Sequence, residues 1–166
     1  MLKEEIRKTA EEMHLKYGSC SQCVLASLKE HGIEISDEVI KASHIFAGGT
    51  AGCGEGFCGA LNGGLTAISC FNGRERNEFG ISDAKENKKL GKRLIKKFLK
   101  EYNGLFSCSE IQTSFVGISF NHMDNEKVKV NSQHKDKKKA CKKSCAELTG
   151  KVAEWTYEIL DENESF

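Results

Sequence analysis

Apolar residues recur every three or four positions along most of the chain. Leu2, Ile6, Ala10, Met13 and Tyr17 form one such stripe, and Gly18 is placed to end it. A second stripe starts at Ser19 or Cys20, carries Val24, Leu25 and Leu28, and stops at Gly32. Ser36 is a suitable N-cap for a third helix, with Val39, Ile40, Ser43 and Phe46 on one face. A glycine-rich loop then runs from Ala47 to about Phe57, and a fourth helix spans roughly Cys58 to Cys70. "FNGRERNEFGIS" reads as a polar loop. Asp83 to Tyr102 predicts a long basic amphipathic helix, with Leu90, Leu94, Ile95, Phe98 and Leu99 inward and Gly104 as its stop.

The pattern weakens from Leu105 to Lys139. Cys108 to Thr113 reads as one short helical turn, "SFVGISF" as a short extended piece, and the polar stretch after it as mobile. The last helix is expected from about Lys138 to Leu160, with Cys145, Leu148, Val152, Trp155 and Ile159 on one stripe. No internal repeat stands out, and proline is absent. The expected fold class is all-α: one domain over residues 1–166, a compact bundle of five to six helices with a glycine-rich, cysteine-bearing loop.

Composition narrows the function classes. A chain of 166 residues can bury a real core. With 25 basic and 24 acidic side chains the net charge is only +1, which argues against a general nucleic-acid binder. The local lysine runs "KKLGKRLIKK" and "HKDKKKACKK" read as solvated helix faces. No apolar stretch approaches the roughly 18 to 20 residues that span a bilayer, and "MLKEEIRKTAEEMHLKYG" has no apolar signal core. The expectation is therefore a cytoplasmic protein with no membrane association, where thiols are kept reduced. Eight cysteines in that setting point to metal binding or redox chemistry more than to a disulfide framework. Inert buried thiols could account for one or two of them, Cys70 foremost.

The cysteines fall at telling places. Cys20 and Cys23 form C-S-Q-C at the start of the second helix, on one face, with Cβ atoms about 5 to 6 Å apart. A thiol in the first helical turn meets unpaired N–H groups and the positive end of the dipole, which favours thiolate. Cys58 stands at the start of the fourth helix, and Cys108 begins a short helical segment. Cys141 and Cys145 are four apart on the last helix and share a face, while Cys53 lies in the loop. Gly59 and Gly63 sit one turn apart in the fourth helix, although glycine in a helix interior costs about 1 kcal/mol relative to alanine. Such a row implies close approach to the backbone. Another helix is the leading explanation, and a flat or bulky cofactor at Gly59 and Gly63 is the alternative.

Other motifs are weaker. Gly54, Gly56 and Gly59 satisfy G-x-G-x-x-G, but no strand precedes them, so a dinucleotide site is not expected. Covalent c-type haem needs C-x-x-C-H, and Val24 follows Cys23. His14 and His31 read as exposed helix positions. His44, beside the glycine loop, is the one histidine to consider as a ligand, although a satisfied structural histidine is the commoner outcome.

Four elements together, "SCSQCVLASL", "GFCGALNGGLTAI", "FSCSEI" and "SCAELTGKVAEW", resemble the C_GCAxxG_C_C family of redox-active proteins. The likeness runs from about Tyr17 to Leu160. Its C-G-A-x-x-G element is Cys58 to Gly63, and its four characteristic cysteines fall on Cys20, Cys58, Cys108 and Cys145, with Cys141 close to the last. A related domain in split-Soret cytochromes is associated with an iron–sulfur centre. The haem-attachment motif of those cytochromes is absent here, so haem is not carried over. Cys23, Cys53, Cys70 and Cys141 lie beyond the family pattern.

Three readings follow. In the first, Cys20, Cys58, Cys108 and Cys145 hold an iron–sulfur cluster, 2Fe–2S in preference to 4Fe–4S, for electron transfer to a redox partner protein or for redox sensing. In the second, Cys20 and Cys23 are attacking and resolving thiols of a disulfide exchange, against the lack of any thioredoxin-like βαβ pattern. In the third, four cysteines bind zinc and staple an interaction module. The sequence leaves open whether a second copy, as a homodimer, completes the site.

Overall fold

The computed structural model describes residues 1–123 and 133–166. Among them are seven α-helices: α1 (Leu2–Tyr17), α2 (Cys20–Glu30), α3 (Asp37–Ser43), α4 (Gly59–Asn72), α5 (Lys85–Glu101), α6 (Cys108–Val116) and α7 (Lys135–Glu162). Short 3-10 turns follow α3 (His44–Phe46) and precede α5 (Arg76–Glu78). The all-α class holds, with seven helices where five to six were expected.

The extra helix is α6. Ser107 caps it: its Oγ accepts from the N–H of Glu110 at 3.3 Å and donates to the Glu110 carboxylate at 2.6 Å. This is a reciprocal S-x-x-E capping box, and it carries the expected single turn on to Val116. The helix therefore takes up the first half of "SFVGISF". Gly117 ends it with φ +80°, and no strand forms among the described residues. The polar stretch expected to be mobile falls largely on 124–132, outside the described residues.

α7 organises the bundle. It lies along α1 and also touches α2, α4, α5 and α6, while α2 packs on α1 and α4. The core runs through the predicted stripes. Ile6 and Ala10, Val24, Leu25 and Leu28, Leu90, Leu94 and Phe98, and Val152 and Ile159 are all fully buried. Ion pairs Lys3–Glu158 (2.6 Å) and Arg7–Glu154 (3.3 Å) tie α1 to α7 at the surface, each adding at most about 1 kcal/mol. Among the described residues no helix is long and apolar enough to cross a membrane.

α2 and α4 meet backbone to backbone. A Cβ at Gly63 would stand 2.6 Å from the carbonyl oxygen of Ser21 and 3.0 Å from its Cα. That space belongs to backbone, which cannot rotate away. Gly63→Ala is accordingly expected to destabilise the protein by about 2 to 3 kcal/mol. The measurement is urea unfolding, where the midpoint should fall with the slope unchanged; an unaltered midpoint would show that α2 and α4 can part freely.

Candidate functional site

The glycine-rich loop is held by its own backbone. Gly54 N–H donates to Gly48 O at 2.9 Å, and Gly56 N–H to Gly49 O at 3.0 Å. The end of the loop then pairs with the segment before α6. Cys58 N–H donates to Phe106 O at 2.7 Å, Cys108 N–H to Gly56 O at 3.0 Å, and Ser109 N–H to Gly54 O at 2.9 Å. These bonds fix the starts of α4 and α6 side by side, although 50 residues separate Cys58 from Cys108.

Two glycines make the contact possible. Gly49 has φ +74°, and a Cβ there would lie 2.6 Å from the Cβ of Cys108. At Gly59 a Cβ would lie 2.5 Å from the sulfur of Cys20 and 2.8 Å from the carbonyl oxygen of Phe46. The loop and the start of α4 thus close directly around two thiols.

Five cysteines line one cavity of about 640 Å³: Cys20, Cys58, Cys108, Cys141 and Cys145. Its wall also carries His14, His44, Gly59, Lys138 and Lys142, with an apolar part from Ile45, Ile111, Phe120 and Leu148; among the described residues no carboxylate lines it. Cys58 and Cys141 are buried, and Cys20 and Cys145 partly so. The sulfurs of Cys141 and Cys145 stand 3.9 Å apart. All eight cysteines are free thiols, and among the described residues no three Cys, His, Asp or Glu side chains are gathered tightly enough to hold one ion.

The remaining sequence candidates lie elsewhere. The Cys23 thiol donates to Gly18 O at 2.9 Å, and the Cys53 thiol to Gly49 O at 3.0 Å; neither lines the cavity. Cys70, expected as the inert buried thiol, is exposed at the C-terminal end of α4. Gly63 packs on the backbone of α2 and is not part of the cavity wall. His44 is exposed on the cavity rim.

Asn121 is a site residue that helical periodicity could not reveal. Its amide donates to Cys108 Sγ at 3.6 Å. The segment is positioned by Gln112, whose Oε1 accepts from Phe120 N–H at 2.7 Å and from Ser119 Oγ at 3.1 Å.

Electrostatics run against the expectation from helix ends. Burial raises the pKa of Cys20, and the N–H groups of Gly48, Ser21 and Ala60 only partly offset it. Burial also raises Cys58, and it lifts Cys108 to about 12 with the charge of Cys20 adding and the Asn121 amide opposing. Cys23 likewise rises to about 12, again mainly by burial. Cys141 and Cys145 behave as a pair. The hydrogen bond between them lowers Cys141 and raises Cys145, so ionisation at Cys141 is favoured over Cys145 and a second thiolate is opposed. Desolvation outweighs the helix N-termini because the described wall supplies partial charges close to the sulfurs and full positive charges only from two exposed lysines.

His14 corrects the sequence expectation of an exposed position, and His31, expected likewise, is half-buried with Nδ1 2.8 Å from Ser27 O. His14 is buried, with Nδ1 2.9 Å from Thr149 Oγ1. The Thr149 hydroxyl donates to Cys145 O at 2.7 Å, so it accepts from His14 Nδ1–H, and Nε2 is left as the acceptor. Burial, then the charge of Lys142, lowers the His14 pKa from 6.5 to about 4. The unfolded chain therefore binds this proton between those values and the folded chain does not. Stability should fall as pH drops from about 6.5 to about 4, by up to roughly 3 kcal/mol. His14→Gln should flatten that part of the curve in urea unfolding of the metal-free protein; an unchanged pH slope would assign the loss to other groups.

No characterised protein and no solved structure shows a significant match to the chain. A family model does match, over residues 18–159, with the description "Putative redox-active protein (C_GCAxxG_C_C)". The match takes in all five cysteines of the cavity wall and spans most of the sequence, so the chain belongs to the C_GCAxxG_C_C family of redox-active proteins.

Proposed function

We propose that this redox-active protein holds an iron–sulfur centre on its cavity thiolates and uses it for electron transfer with a partner protein or for redox sensing. One observation carries the reading: five cysteines line one cavity whose wall bears two lysines and, among the described residues, no carboxylate. Thiolate is the donor that iron–sulfur centres take, and hard-cation sites would call for oxygen ligands instead. The cavity is also larger than one ion requires. Cys20, Cys58, Cys108 and Cys145 are the ligands in this reading, as the family pattern implies.

When bound, the centre would supply a one-electron couple, and its positive charge would drive thiol deprotonation that burial alone opposes. The chain's own groups do the rest. N–H groups of Gly48, Ser21 and Ala60 are directed at the Cys20 sulfur, and those of Leu61 and Ala60 at Cys58. Asn121 donates to Cys108. Such hydrogen bonds to sulfur spread its negative charge and set a reduction potential. Lys138 and Lys142 balance the anionic character of the assembled thiolates from the cavity wall.

Anaerobic purification followed by iron and acid-labile sulfide assays and a visible spectrum tests the reading. Iron and sulfide together are expected, with broad absorption between about 300 and 600 nm from sulfur-to-iron charge transfer. The variant with Cys20, Cys58, Cys108 and Cys145 all changed to serine should lose both the iron and the colour. Zinc in place of iron, or fully titratable thiols without metal, would overturn it.

A further inference from the structure

We infer that Cys141 and Cys145 form a two-thiolate chelate for a single metal ion, which makes Cys141 a ligand alongside Cys145. The inference deepens the metal-centre reading of the cavity and rests on it. Two thiolates on one tetrahedral metal, each about 2.3 Å from it, have their sulfurs about 3.8 Å apart. The sulfurs of Cys141 and Cys145 stand 3.9 Å apart. The helix sets that spacing, because residues four apart lie one above the other on the same face.

A disulfide would ask for something different. It needs Cβ atoms about 3.5 to 4.5 Å apart, whereas residues four apart on a regular helix hold theirs about 5 to 6 Å apart. α7 continues without a break through both positions. The pair therefore has the bite of a chelate and not the reach of a disulfide.

The other closely spaced pair gives the contrast. Cys20 lines the cavity, but Cys23 turns its thiol to Gly18 O and leaves the wall. At α7 both cysteines line the cavity, with their sulfurs in contact. Thr149 steadies the lower one, since its hydroxyl is bonded to the carbonyl of Cys145. The pair supplies half of a tetrahedral shell. The other thiols of the wall, Cys20, Cys58 and Cys108, lie on different elements and are not gathered with the pair around one point, so the chelate is argued for the pair alone.

Cadmium is the probe. The reduced, metal-free full-length protein is titrated with Cd(II) under anaerobic conditions, and the ultraviolet sulfur-to-cadmium charge transfer, which grows with each thiolate bound, is recorded. Cys141→Ser and Cys145→Ser should each remove one thiolate's share of the signal at saturation and weaken binding at least about tenfold. Cys141→Ala checks that serine is not itself a ligand, and helicity by circular dichroism checks the fold. The unmutated protein provides a second measurement: saturating cadmium should protect Cys141 and Cys145 together from alkylation, read by mass mapping. A Cys141→Ser protein with full signal and affinity, or a Cys141 alkylated at its metal-free rate, would overturn the inference. Iron and sulfide analysis decides the iron–sulfur reading separately. Cadmium chelation at this pair in a protein that carries no iron would sink that reading and leave the chelate standing.

Discussion

The meeting of α2 and α4 at backbone distance is the contact on which the site depends. Gly59 lets the Cys20 sulfur lie against the start of α4, and Gly63 receives the backbone of Ser21 one turn further on. A side chain at either position would push the helices apart, because the atoms in the way are main chain or a packed sulfur. Gly63, inside α4, costs about 1 kcal/mol relative to alanine, and that is offset by a close approach that no larger residue permits. With the two helices joined, Cys20 and Cys58 share a cavity. The pairing of the loop end with the segment before α6 brings Cys108 to them, and α7 closes the remaining side.

The assembled wall sets two electrostatic demands against each other. Burial opposes charge on Cys20, Cys58 and Cys108, while N–H groups at helix starts and the Asn121 amide are arranged to receive that charge. A site built for free thiolates would pair them with adjacent cations. A site of inert thiols would not surround sulfur with donors. Sulfur that is buried, ringed by weak donors and flanked by two lysines suits thiolates whose charge is shared with something bound.

Much of this was legible in the residue pattern. The helical stripes of α1, α2, α5 and α7 follow from apolar spacing, and Ser36 caps α3 as its residue type suggests, accepting from Val39 N–H at 3.4 Å. α6 was under-read because a nine-residue helix carries little periodicity; its signal was the capping box of Ser107 and Glu110. "SFVGISF" misled because alternation over so few residues cannot distinguish a strand from the end of a helix and its glycine cap. His14 was misread for another reason. It follows Ile6 and Ala10 at four-residue steps on the buried face of α1, where α7 packs and Thr149 meets it, and its polar side chain hid that place in the stripe. The thiol set was partly visible. Helix starts marked Cys20, Cys58 and Cys108, but nothing local separates Cys23, turned back to Gly18, from Cys141, turned to the cavity. That distinction is tertiary.

The span of the wall also has a kinetic meaning. Its residues run from His14 to Thr149, and α7 supplies its last side. During synthesis, Cys20, Cys58 and Cys108 emerge well before Cys141 and Cys145, and contacts of such long sequence separation close late in folding. The full set of cavity cysteines therefore exists only once α7 is in place along α1.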